Sequence, residues 1–221
     1  MRWTIPNILT VARVLAAPAV ALVYLAFDRP SADWIALAIF IGASATDWLD
    51  GWIARRFDQG SAFGKMLDPI ADKAMIVTAA AVLMAVYGFV PLLVVPIVLI
   101  LLREVLVSGL REFLGVIKLD VTRLAKWKTT AQMVAFATLF LAAGAEARAL
   151  DITYALDPGA LEAILSGAIP DTPGLRGAML LGQWGFLAGL VLLWVAAILT
   201  VVTGWDYFRK AMPHLQVRED L

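Results

Sequence analysis

The sequence predicts an all-α integral membrane protein with six transmembrane helices and both termini on the cytoplasmic side. Three observations carry that expectation: a mean hydropathy of +0.83, six apolar runs long enough to cross lipid, and Lys and Arg gathered in alternate connections. Of the 221 residues, 62% are hydrophobic and only 16% charged, where a soluble domain carries about 25% charged residues.

A helix needs roughly 20 predominantly apolar residues to span a bilayer. The runs lie at 8–27, 33–56, 69–88, 90–112, 126–145 and 182–206. They are rich in Ala, Leu, Val and Gly, which permits close helix packing in lipid. An open sheet would leave unpaired backbone groups in hydrocarbon. The first run has no small-residue cleavage site after it and reads as a retained helix rather than a signal peptide.

Orientation follows from the cations. One side receives Arg2, then Arg55, Arg56, Lys65 and Lys73, then Lys118, Arg123, Lys126 and Lys128, and finally Arg209, Lys210 and Arg218. The other side holds only Arg29, Arg148 and Arg176. Both termini are therefore expected in the cytoplasm, in agreement with an even number of spans, and the chain in the inner (cytoplasmic) membrane. The stretch 146–181, punctuated by Gly159, Gly167, Pro170, Pro173 and Gly174, is expected to form a short interfacial helix and a turn on the outer side. With no long repeat, linker or low-complexity tract, residues 1–221 read as one domain.

Composition also narrows the chemistry. Without cysteine there is no thiolate nucleophile, disulfide or Cys-ligated metal. The single histidine, His214, stands in the polar C-terminal tail, away from any apolar helix that would build a catalytic site. Eighteen basic and eighteen acidic residues cancel, and no nucleic-acid partner is expected.

Four aspartates stand against apolar helices, within DWLDGWIARRFDQGSAFGKMLDPIAD at 47–72. Asp47 and Asp50 are three apart and Asp68 and Asp72 four apart, so each pair shares a helix face. The first pair closes the second span, the second opens the third, and a short connection brings the ends together. Four crowded carboxylates repel one another in a partly desolvated site; two divalent cations relieve that repulsion. Oxygen-only ligands favour Mg²⁺ or Mn²⁺, and paired metals suit chemistry on a diphosphate. The plainer reading, helix caps or solvated loop residues, fits Asp68 before Pro69 taken alone; four acids at this spacing outweigh it. Gly51 and Gly64 let a flat ligand approach the backbone. Arg55 offers either a planar fork to phosphate or an interfacial charge.

Asp47, Asp50, Gly51, Ala54, Arg55, Gly64, Asp68 and Asp72 stand as D-x2-D-G-x2-A-R-x8-G-x3-D-x3-D. This pattern resembles the signature of the CDP-alcohol phosphotransferases, with no member missing. The resemblance implies that family's fold of six transmembrane helices, a homodimer, two bound divalent metals and CMP as leaving group. It implies that Asp47, Asp50, Asp68 and Asp72 are the metal ligands, that Asp72 is also the candidate base, and that the glycines border the cytidine.

Three further stretches, PNILTVARV at 6–14, REVLVSGLREFLG at 103–115 and KWKTTAQM at 126–133, resemble the bacterial phosphatidylglycerophosphate synthases within that family. This implies CDP-diacylglycerol and glycerol 3-phosphate as substrates among the membrane lipids. The connection at 146–181 departs from the shorter one expected there. Asn7, Thr10 and Arg13, spaced by three along the first span, are read as facing the nucleotide; Asn7 after Pro6 is alternatively a helix cap. Arg103 and Arg111 on the fourth span, and Lys128 at the start of the fifth, are read as a pocket for the phosphate of glycerol 3-phosphate, since a charged side chain within an apolar span usually faces an interior cavity. Glu104 neutralises a neighbouring Arg. Lys118, Arg123 and Lys126 are either part of that pocket or plain cytoplasmic charge.

Two rivals remain. One is an enzyme of the same fold with another acceptor: inositol phosphate, serine, or phosphatidylglycerol as in cardiolipin synthesis. The other is a cation transporter, disfavoured because the acids cluster at a membrane edge rather than mid-membrane on interrupted helices.

Overall fold

The computed structural model describes residues 4–56, 61–115 and 123–219, and the side chains at 48, 50–55, 65, 123–126 and 214–219 lie outside that description. Among the described residues there are seven helices: α1 Ile5–Ala26, α2 Ser31–Arg56, α3 Ala62–Tyr87, α4 Pro91–Leu114, α5 Arg123–Ala155, α6 Pro158–Ser166 and α7 Leu175–Glu219. Their ends follow local chemistry. Pro6 and Pro91 stand in the first turns of α1 and α4, where a missing N–H costs nothing. Ser61 caps α3 by accepting the Gly64 N–H at 2.9 Å, and Asp157 caps α6 by accepting from Gly159 and Ala160, each at 3.1 Å. Gly167 closes α6 with φ of 84°, a left-handed conformation that glycine adopts without penalty.

All the described elements are helical, and five of them (α1, α3, α4, α5 from Trp127, and α7 to Pro213) are long and apolar enough to cross a membrane. The chain is an all-α membrane protein. The run expected at 33–56 is α2, part of which lies outside the described side chains, and it is not among the five.

Two expectations change. The stretch 146–181 does hold the expected short helix and turn, as α6 and the residues after it, but its flanks are helical too: α5 continues to Ala155 and α7 begins at Leu175. Asp68 is no cap. Helix α3 starts at Ala62, and Pro69 lies inside it, so Asp68 and Asp72 both project from continuous helix.

The chain divides into two compact units, one of residues 1–88 and 136–189, the other of 89–135 and 190–221. In the first, α1 packs against α2 and α3. Phe40 meets Phe136 edge-on at 6.3 Å and Phe140 at 5.7 Å between ring centroids, all three fully buried. Helix α7 lays Gly182, Gly185 and Gly189 against α5, where added Cβ atoms would stand 2.7 Å from Glu146, 3.2 Å from Ala142 and 2.7 Å from Leu139. That spacing of small residues lets two backbones approach within lipid. Asp33 is fully buried; its charge is met by Arg29 Nε at 2.8 Å and the Tyr24 hydroxyl at 3.0 Å, as burial of a carboxylate requires. Beside it lies an open cavity of about 480 Å³ lined by Ala21, Tyr24, Arg29, Val82 and Val86. Among the described residues, Asp47, Asp68 and Asp72 do not line it.

In the second unit, Gln132 Nε2 donates to Thr200 Oγ1 at 3.0 Å and the Trp194 indole to the Leu92 carbonyl at 2.9 Å, tying α7 to α5 and α4.

Candidate active site

Three of the signature aspartates, Asp47 near the end of α2 and Asp68 and Asp72 near the start of α3, gather around one guanidinium of α1. Arg13 is buried, 3% exposed, and its Nη1 donates to Asp47 and, at 2.8 Å, to Asp72 Oδ1. Its Nη2 lies 3.7 Å from Asp68 Oδ1. The three carboxylates keep 37–46% of their side-chain surface exposed. Each is thus held from one side and open on another.

Thr10, one turn before Arg13, places its hydroxyl 2.9 Å from Asp68 Oδ1 and 3.0 Å from the Pro6 carbonyl, one proton serving either acceptor. Asn7, a further turn back, accepts the Ser61 hydroxyl at 2.6 Å through Oδ1. Gly64 faces the same atoms: an added Cβ would stand 3.0 Å from Asn7 Oδ1. The polar stripe expected to face a nucleotide therefore reaches the acids and the cap of α3. Its spacing of three keeps Asn7, Thr10 and Arg13 on the side of α1 that meets α3.

Sequence reasoning missed Ser61. Its signal, a Ser directly before a helical run, was hidden by reading the helix start at Pro69. The backbone of α2 runs through Asp50, Gly51 and Arg55, whose side chains lie outside the described residues. Among the described residues, which leave out the Asp50 side chain, no group of three acidic side chains is close enough together to hold a single ion.

The cations read as an acceptor pocket are in the second unit. Glu104 accepts from Arg103 Nη1 at 3.2 Å and from Lys128 Nζ, so it joins two of the three. Arg103 and Lys128 are largely buried, at 12% and 7% side-chain exposure. Arg111 stacks its guanidinium carbon 5.3 Å from the centroid of the Tyr207 ring. Arg103, Arg111 and Lys128 lie near enough to repel one another. Tyr207 and Gly204 were missed, since nothing in their local pattern sets them apart from the apolar run around them. Lys118 lies outside the described residues, as do the side chains of Arg123 and Lys126.

Residues 3–202 match the family model described as CDP-alcohol phosphatidyltransferase. A protein of Cereibacter sphaeroides named CDP-diacylglycerol–glycerol-3-phosphate 3-phosphatidyltransferase is 53% identical, over 98% of this chain and 99% of its own. Proteins of the same name from Rickettsia bellii and Haemophilus influenzae are 37% and 40% identical, over 93% and 63% of this chain and 93% and 76% of theirs. With a family model matched over residues 3–202, and with signature acids of α2 and α3 drawn around Arg13 of α1, the chain belongs to the CDP-alcohol phosphatidyltransferase family.

Proposed function

We infer that this protein transfers the phosphatidyl group of CDP-diacylglycerol to the primary hydroxyl of sn-glycerol 3-phosphate, giving phosphatidylglycerophosphate and CMP. One observation carries the reading: 53% identity along essentially the full length of a protein bearing that activity as its name.

The donor set around Arg13 fits divalent cations. Three carboxylates face one guanidinium, so the described side chains carry two negative charges in excess, and every acidic donor is a hard oxygen. Asp47, Asp50, Asp68 and Asp72 would hold two ions, Mg²⁺ or Mn²⁺. Bound there, such ions neutralise the diphosphate and the charge that develops on departing CMP.

The chain's own residues do the rest. Arg13 fixes Asp47 and Asp72, and Thr10 fixes Asp68, before substrate arrives. Asp72 accepts the proton of the attacking hydroxyl at a carboxylate oxygen. Attack falls on the β-phosphate, the one esterified to diacylglycerol, and the bond to CMP breaks in the same displacement. A carboxylate with an ordinary pKa of roughly 4 is a weak base for an alcohol, so positioning supplies much of the rate. Asn7, Thr10, Arg13, Gly51, Arg55 and Gly64 border CDP-diacylglycerol, and Arg103, Arg111 and Lys128 bind the acceptor phosphate.

In the membrane, α2 joins the five apolar helices as a sixth span, and both termini face the cytoplasm of a cell whose inner membrane holds the chain; the support is the distribution of Lys and Arg. Residues 1–221 act as one domain, because α5 and α7 run unbroken through both units, and family likeness supports a homodimer.

The deciding experiment supplies purified protein with Mg²⁺, CDP-diacylglycerol and each acceptor, and follows CMP release. Glycerol 3-phosphate is expected to be turned over fastest. A preference for inositol phosphate, serine or phosphatidylglycerol would overturn the assignment.

A further inference from the structure

Within the second unit, α7 presents two residues three apart to the cationic cluster, Gly204 and Tyr207. A Cβ built on Gly204 would stand 2.8 Å from Arg103 Cγ, closer than carbon atoms pack. The Tyr207 ring, 8% exposed, lies 5.3 Å from the Arg111 guanidinium carbon. One face of one helix therefore sets both arginines: it leaves a slot for the stem of Arg103 and a plate for the head of Arg111.

The kind of partner matters. A carboxylate beside Arg111 would cancel its charge and occupy its N–H edge. An aromatic face orients a guanidinium through its ring electrons and consumes neither. Glu104 already compensates part of the cluster, so among the described side chains named here three cations stand against one acid, two positive charges in excess. That excess matches a phosphate monoester dianion.

The geometry points to Gly204 and Tyr207 as positioning residues that set the acceptor specificity of the enzyme, holding Arg103 and Arg111 where an alcohol bearing a phosphate monoester is received. The inference rests on the reading of Arg103, Arg111 and Lys128 as the acceptor-phosphate site. It selects for a phosphorylated alcohol and against a neutral one such as serine or a sugar without phosphate.

The test uses full-length protein with Mg²⁺ and three variants: Tyr207→Leu, Tyr207→Phe and Gly204→Ala. Four quantities are read: KM for glycerol 3-phosphate, KM for CDP-diacylglycerol, kcat, and the inhibition constant of inorganic phosphate against glycerol 3-phosphate. Tyr207→Leu is expected to raise the glycerol 3-phosphate KM and the phosphate inhibition constant together, by roughly 3- to 30-fold, the range of one cation–aromatic contact. The CDP-diacylglycerol KM and kcat stay near wild type, and Tyr207→Phe, which keeps the ring, behaves as wild type throughout. Gly204→Ala raises the same two quantities by displacing Arg103, and gives the answer alone should Tyr207→Leu unfold. Unchanged acceptor and phosphate constants in Tyr207→Leu and Gly204→Ala would overturn the inference, as would an equal rise in both substrates' KM. The underlying reading fails separately: Arg111→Ala and Lys128→Met would then leave the glycerol 3-phosphate KM unmoved. If those two raise it while the α7 variants do not, only the role of α7 is lost.

Discussion

Arg13 on α1 donates to Asp72 on α3 at 2.8 Å, and the same nitrogen donates to Asp47 on α2. One buried cation thereby gathers acids from two other helices, and its loss exposes them to mutual repulsion. Replacing Arg13 by Ala should lower CMP release by at least about 100-fold, since it removes the group that positions the catalytic carboxylate. Stability should fall by about 2 kcal/mol, less than the roughly 3–5 kcal/mol of breaking a fully buried pair, because the carboxylates remain partly open to solvent. Added Mn²⁺ should raise the melting temperature of this variant more than that of the wild type. Thermal unfolding with and without Mn²⁺ checks it.

Asp72→Asn keeps the shape that Arg13 holds and removes the proton acceptor. We expect kcat to fall by about 10²- to 10⁴-fold, the range for loss of a positioned base, with a melting temperature close to wild type. A variant that unfolds instead would make Asp72 a structural residue.

Ser61 links the cap of α3 to Asn7 of α1. Ser61→Ala should cost about 1 kcal/mol from the cap, and turnover should fall as well, because Asn7 loses the hydroxyl that fixes it beside Gly64. Denaturation and CMP release measured on one preparation separate the two effects.

Two glycine substitutions should act in opposite directions. Gly189→Ala drives a methyl to 2.7 Å from Leu139 and should destabilise by about 1–3 kcal/mol, as overpacking does. Gly42 in α2 has nothing within 4 Å of an added Cβ, so Gly42→Ala should stabilise by about 0.5–1 kcal/mol through helix propensity. Paired melting curves decide the signs.

Asp171, outside the apolar spans, carries a pH signature. Desolvation alone would raise its pKa, but backbone N–H groups of Arg176, Leu175 and Gly174, with the Arg176 guanidinium, outweigh it and hold the carboxyl below its ordinary range. Leu175 and Arg176 each donate at 2.8 Å. A depressed folded-state pKa contributes stability that is fully present above the unfolded value of roughly 3.9 and is lost as pH falls through the folded one. Asp171→Asn should therefore be less stable than wild type near neutrality, and the gap should close below about pH 4. A gap constant with pH would argue against the ionised cap.

The six apolar runs were legible from composition alone, and a helix coincides with each. Their lengths were not. An apolar window ends where hydrocarbon ends, whereas a helix ends where its hydrogen bonding does; α5 and α7 therefore extend past the runs 126–145 and 182–206. The spacing of four was enough to put Asp68 and Asp72 on one helix face. That Arg13 would stand among the acids was not legible, because a spacing of three along α1 says which residues share a face but not what that face meets. Tyr207 and Gly204 act on arginines about a hundred residues away in the chain, a relationship that no local pattern carries.

Because α3 begins at Ala62 rather than at Pro69, Asp68 and Asp72 take their aim from one rod rather than from a loop. Lengthening the connection before Ser61 leaves their phase untouched, whereas one residue inserted between them swings Asp72 by about 100° around the axis. Any redesign of this helix must therefore preserve the four-residue step from one acid to the next.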